Sequence, residues 1–223
     1  MTKGKSATMS LTALVPADLD AKVEEYRRIR PLLTILHGAL YRLISKSEQF
    51  ACAKRLKMLV KQGGKKVFVF EHEVEMEIFQ DYLIYMHRPH GINAVQQMLN
   101  GKRYNEGSDE LRLLKAMATA RFSVFQIKEI VGTAGIIATE MLTGDAFFIM
   151  DLTLPRQQDV VRIMMGLRIF PFDGYWWHTG ATLALGKGGD FKPTGGLTTV
   201  AEERELNEEI IFEWRSCVRG LDE

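Results

Sequence analysis

Glu73, Glu77 and Asp81 recur at four-residue steps, so a helix over this stretch carries three acids on one face. Glu71 and Glu75 form a second pair, and His87 and His90 follow in the string His-Arg-Pro-His. Carboxylates that hold a cation and imidazoles that move protons are the parts of a metal-dependent hydrolase, and Glu73, Glu77, Asp81, His87 and His90 are its candidates here. The spacing favours a solvated acidic face instead. A dinuclear site in a helix bundle uses Glu-x-x-His pairs, and the chain has none. Pro89 and Gly91 make the histidine pair a helix-ending turn. This reading assigns no catalytic residue, no metal and no cofactor.

Two other groups of residues invite a function. Lys54, Lys57, Lys61 and Lys65 follow at three- and four-residue steps, with Arg55 and Lys66 beside them. On a helix they form one basic edge, which suits a nucleic-acid backbone. No aromatic residue interleaves them, so a solvated face is favoured over a nucleic-acid surface. The second group is Tyr-Trp-Trp-His at 175–178. On a strand its two tryptophans point to opposite faces. One fills the core, and the other packs on a helix or meets a ligand or partner. Trp176, Trp177, His178 and the sheet neighbour Arg168 are therefore the candidate binding residues. Other chemistries find no motif. There is no Gly-x-Ser-x-Gly elbow. The glycines at 180, 186 and 188, with Lys187, miss the P-loop spacing and lack its Ser or Thr.

The elements that must position these groups read as follows. Helical spacing covers two stretches between 14 and 45, divided at Pro31. A third helix runs over 47–63, from Ser47 to the Gly63–Gly64 stop, with Cys52 on its inward face. A short buried strand covers 66–70, and a helix covers 71–86. Shorter helices follow at 93–99 and 109–120, the latter capped by Ser108. From 122 the pattern turns to short strands at 122–130, 136–142, 146–151, 160–170 and 175–185, joined by turns at 132–135, 143–145 and 171–174. A helix from 199 closes the chain. Thr199 and Glu202 have capping-box spacing, and Leu206, Ile210, Trp214, Cys217 and Leu221 form its inward stripe.

Composition bounds the rest. The 223 residues are 46% apolar and 26% charged, with a net charge of +1. That is ordinary globular composition, with no whole-molecule field for nucleic acid or membrane. The two cysteines are far apart in sequence and suit reduced thiols in the cytoplasm. No apolar run approaches the ~20 residues of a membrane span, and the N-terminus lacks the apolar core of a signal peptide.

Several strings resemble the central region of bacterial SEC-C-motif-containing proteins, an uncharacterised group. They are Phe-Gln-Asp-Tyr at 79–82, Leu-Arg-Leu-Leu-Lys-Ala at 111–116, Ala-Arg-Phe-Ser-Val-Phe-Gln-Ile at 120–127, Met-Leu-Thr-Gly-Asp at 141–145 leading into Phe-Phe-Ile-Met-Asp at 147–151, and Met-Gly-Leu-Arg-Ile at 165–169 with Gly174. The resemblance covers about half the chain. It implies a shared scaffold, and the zinc function of that group is not carried over, because its C-terminal cysteine motif is absent.

The expected fold is α+β. An N-terminal helical region packs on a small five-stranded meander β-barrel or curled sheet, and a C-terminal helix follows. The segments are a disordered tail over 1–13, a mostly helical region over 14–121 with its strand at 66–70, the barrel-like region over 122–185, a Gly-rich linker over 186–198, and the terminal helix over 199–223. The expected function is that of a non-enzymatic cytoplasmic module that binds a ligand, a protein partner or a second copy of itself. Nucleic-acid binding is the less favoured alternative.

Overall fold

A computed structural model describes residues 11–188 and 195–219. The expected tail up to residue 10, the centre of the Gly-rich linker and the last four residues lie outside the described residues. The architecture is α+β: a curled five-stranded mixed sheet with helices packed against it and a C-terminal helix laid over it.

Helix α1, Leu19–Tyr41, buries Tyr26, Ile29, Leu33, Leu36 and Leu40. This stripe stays in phase through Pro31, so one helix stands where a break was expected. Pro31 is exposed and forfeits a single helical hydrogen bond, which the buried face offsets. Helix α2, Lys46–Arg55, starts at Ser45 rather than Ser47. The Ser45 side chain accepts from the Glu48 backbone N–H while the Ser45 N–H donates to Glu48 Oε2 at 2.8 Å, a reciprocal capping box. The helix is over by Leu56, and Lys57 has φ +56.

The expected helix over 47–63 is therefore corrected. Strands β1, Leu59–Gln62, and β2, Lys65–Phe68, form a hairpin in which Gln62 pairs with Lys65. The intervening Gly63 and Gly64 both have positive φ, +57 and +78. Two such residues between paired strands make the primed hairpin turn, which only glycine-like residues adopt cheaply. The strand expected to be buried over 66–70 is instead β2, three of whose four residues are exposed. The basic edge is dispersed as well. Lys54 is on α2, Lys57 in the loop, and Lys61 and Lys65 on the hairpin.

Helix α3, Val74–Tyr85, is almost wholly buried from Ile78 onward. Helices α4, Ala94–Asn100, and α5, Asp109–Met117, follow, with Asn93 and Ser108 as their side-chain caps. The sheet comprises β3, Arg121–Val131; β4, Gly135–Glu140; β5, Ala146–Met150; β6, Ile163–Phe172; and β7, Tyr175–Lys187. Helix α6, Val200–Arg219, starts with the expected Thr199/Glu202 exchange, at 3.0 and 3.1 Å. Cys217 on α6 is exposed, contrary to its expected inward place, whereas Cys52 is buried.

The expected strand positions hold to within a few residues, but the expected meander order does not. The pairings run β3-β4-β5-β7-β6 and return to β3. After β5 the chain passes through a 3-10 turn, Leu154–Arg156, that puts Leu154 and Val160 into the sheet's interior cluster with Phe125, Ile136, Ile149, Leu167 and Ile169. It then re-enters beside β3 and turns back as β7, which fills the gap between β6 and β5. The β5–β7 contact is parallel and two residue pairs long, Ile149 with Trp176 and Met150 with Trp177. A third strand that meets the fifth in parallel, with the fourth returning to the first, is the connectivity of the OB-fold.

Helix α6 seats on the outer face of β6 at Gly166. A Cβ built there falls 2.7 Å from Ile210 Cγ2 and 2.9 Å from Phe122 Cζ. The helix can reach the sheet at this point only over a glycine. Gly166→Val should therefore lower stability in urea unfolding by about 1–3 kcal/mol. Unchanged stability would contradict this seating of α6.

Candidate functional site

The β5–β7 seam ends at Met150 and Trp177. The next residue on each strand is Asp151 and His178, and their side chains meet, with His178 Nε2 2.5 Å from Asp151 Oδ2. The other oxygen, Asp151 Oδ1, accepts from the backbone N–H groups of Thr153 and Leu154 and from the Thr153 hydroxyl, each at 2.6 Å. Burial opposes the Asp151 charge. His178 and the Thr153 and Leu154 donors outweigh it and hold the carboxyl well below the usual carboxylate range. His178 Nδ1 is buried and has no hydrogen-bond partner.

Where the seam ends, a cleft of about 720 Å3 opens between α1, α3 and β7, within the usual range for small-molecule sites. Its walls differ in charge. Helix α1 contributes Arg27, Arg30, Thr34 and His37, whereas α3 contributes Glu77, Gln80 and Asp81. Arg30 donates to the His178 carbonyl at 2.6 Å and lies over the Tyr26 ring. Pro31 also lines the cleft; having no N–H, it leaves the Arg27 carbonyl without its helical donor. Thr179 donates to Asp81 Oδ1 at 2.6 Å. His37 Nε2 lies 3.1 Å from the Tyr85 hydroxyl. Burial pulls the His37 pKa from 6.5 to about 4, with Asp81 opposing and Arg30 assisting.

Beneath the cleft, Arg168 of β6 is completely buried. It donates to Asp81 Oδ2 at 2.9 Å, Glu203 Oε1 at 2.5 Å and Asn207 Oδ1 at 3.0 Å, and stacks on the rings of Tyr85 and Phe122.

The four residues expected to bind thus separate. His178 reaches the cleft. Trp177 is fully buried against Tyr26, Phe172 and Tyr175, and so is packing under α1. Trp176 is half-buried on the opposite face, edge-on to Phe147 with Arg121 over its ring. Arg168 joins elements and does not line the cleft. The acidic helix is divided too. Asp81 and Glu77 line the cleft, and Glu75 is buried against Arg215 at 2.7 Å. His87 lies instead beside Cys52, and His90 is exposed. The hydrolase set is not brought together, and no cluster of three or more metal-ligating side chains occurs among the described residues. Sequence reading missed Arg30 and Asp151. The Asp151 signal was available as Asp-x-Thr-Leu after a strand, the pattern of a carboxylate that caps the next turn.

Comparison with known proteins finds one family model, described as a family of unknown function (DUF7986), which matches residues 20–188. The chain belongs to that family. No curated protein and no solved structure matches it. The match spans α1 through β7, so the whole lining of the cleft in this DUF7986 member lies within it, while α6 lies beyond. No helix among the described residues is long and apolar enough to cross a membrane.

His37 provides a test of the cleft's burial. Its folded pKa lies below the unfolded value, so between pH 6.5 and 4 the unfolded chain binds a proton that the folded chain refuses. The stability it supports is present above pH 6.5 and lost as pH falls through about 4. Over that window, wild type should lose about 3 kcal/mol more than His37→Gln in urea unfolding. Parallel losses would contradict the burial.

Proposed function

We propose that this protein is a non-enzymatic module that binds a small zwitterionic molecule in the cleft at the seam end. The observation that carries the reading is the charge division of the walls: Arg30 on α1, with Arg27 beside it paired to Glu24 at 2.5 Å, faces a ligand's acidic group, and Glu77 and Asp81 on α3 face its amino group. Asp81 already serves Arg168 and Thr179, which leaves Glu77 and the Arg27 carbonyl as the amine's principal acceptors. His178 Nδ1 supplies one more polar atom at the cleft's base. Two unpaired cysteines support a cytoplasmic setting.

The nucleic-acid alternative has less support. The lysines that motivated it are divided among α2, a loop and the hairpin. The β4–β5 face, which OB-folds use for oligonucleotides, is covered. Phe148 and Met150 are buried there, and the N-terminal 3-10 turn, Leu11–Leu14, contacts β5. The resemblance to SEC-C-motif proteins adds no activity, since that group is itself uncharacterised.

Titration of the 15N-labelled protein with pooled free amino acids tests the reading. Saturable amide shifts should centre on Thr34, Gln80 and Thr179, and Arg30→Gln should weaken binding about tenfold or more. No saturable shift, or shifts indifferent to Arg30→Gln, would overturn it.

A further inference from the structure

A second cleft, of about 440 Å3, opens between α2, the end of α3 and α6. Lys54, Arg55, Arg88, Arg204 and His87 line it, and no carboxylate does. Two acids stand behind it, Glu48, whose Oε1 lies 3.4 Å from His87 Nε2, and Glu208. Glu208 accepts from Arg55 Nε at 2.6 Å and from the Tyr82 hydroxyl at 2.5 Å, and lies 4.0 Å from Arg204 Nε. Of the four Lys and Arg side chains, Arg55 and Arg204 share Glu208, and Glu203 acts on Arg88 only from beyond ion-pair distance. Lys54 and Arg88 form no ion pair among the described residues.

Arg88 is the informative member. Its Nε is buried without an acceptor, and its Nη1 donates only to the neutral Gln96 Oε1 at 3.0 Å. Burial lowers the guanidinium pKa from its ordinary value, Glu203 opposing and Arg168 adding to the effect. A half-buried guanidinium with no carboxylate in contact is costly, and the cleft beside it is where an anion can stand. Ala51, Met86 and Pro89 give the cleft an apolar part.

We propose that this second cleft binds a small phosphate-bearing molecule, its phosphate held by Arg88, Arg204 and Lys54 and its organic part against Ala51, Met86 and Pro89. The site is one of binding and not of covalent chemistry. Its thiol, Cys52, lies 3.3 Å from His87 Nδ1, but burial pushes the Cys52 pKa up to about 12, so it remains protonated. A dianion matches the excess of cations better than a carboxylate does, and Arg presents its donors in the fork that phosphate oxygens accept. This proposal is independent of the zwitterion reading, because the two clefts share no lining residue.

Thermal melting and 31P titration of the full chain with inorganic phosphate, adenosine monophosphate and a single-stranded oligonucleotide test it. Phosphate or the monophosphate should raise the melting temperature of wild type. Arg88→Gln and Arg204→Gln should each weaken that binding about tenfold or more. Without ligand, Arg88→Gln should melt no lower than wild type, because it removes an unneutralised charge. A purely structural Arg88 would instead lower the unliganded melting point, which would overturn the proposal. So would the absence of a shift with either small probe, or equal shifts in wild type and both variants. Binding of the oligonucleotide alone would overturn the assignment to a small molecule.

Discussion

The fold depends on one buried guanidinium. Arg168 projects from the outer face of β6 into a space closed by α3 and α6, where it has no access to water. Taking a guanidinium out of water costs several kcal/mol unless its donors are met. Asp81 from α3 and Glu203 and Asn207 from α6 meet them, and the Tyr85 and Phe122 rings cover its faces. Glu203 also accepts from the Phe122 backbone N–H at 2.8 Å, which fixes the first turn of α6 to the start of β3. Barrel strand and both helices therefore share one polar centre. A second arginine repeats the arrangement in reverse: Arg215 of α6 holds Glu75 of α3 and caps the carbonyl of Leu56 at the end of α2.

This centre also fixes the clefts. Adjacent residues of α3 face different ones, Asp81 the cleft at the seam end and Tyr82 the cleft beside α2 and α6. The depth and rotation of α3 set both, and the Arg168–Asp81 bond holds that rotation. The curled sheet supplies rigidity below. Its connectivity is that of a barrel often used for oligonucleotides, yet the N-terminal turn, Leu11–Leu14, packs on β5 at the usual face. The larger cleft instead opens at the seam, where β5 and β7 part and Asp151 meets His178.

The parts of this arrangement legible in the sequence were the local ones. The five strands, the Ser108 cap and the Thr199/Glu202 box follow from alternation, turn residues and side-chain acceptors, which act over a few positions. Strand order was not legible, because the β5–β6 loop fixes it by burying Leu154 and Val160 inside the sheet, a contact no periodicity announces. Lys54, Lys57 and Lys61 have helical spacing by coincidence; the positive φ at Lys57 and the Gly63–Gly64 turn break that helix. Pro31 misled in the opposite sense, since tertiary burial of α1 outweighs one missing bond. Within Tyr-Trp-Trp-His, the histidine lines the seam-end cleft. The tryptophans are packing on the two faces of β7. The cleft itself joins residues far apart in the chain, Tyr26, Asp81 and Ala181, and such proximity is a property of the fold.

Amide hydrogen exchange of Arg168→Met compared with wild type tests the central role of Arg168 most directly. If the guanidinium joins the two helices to the sheet, α3 and α6 should lose protection together while β3, β4 and β5 keep theirs. Wild-type protection throughout α3 and α6, or loss confined to one of them, would contradict the account.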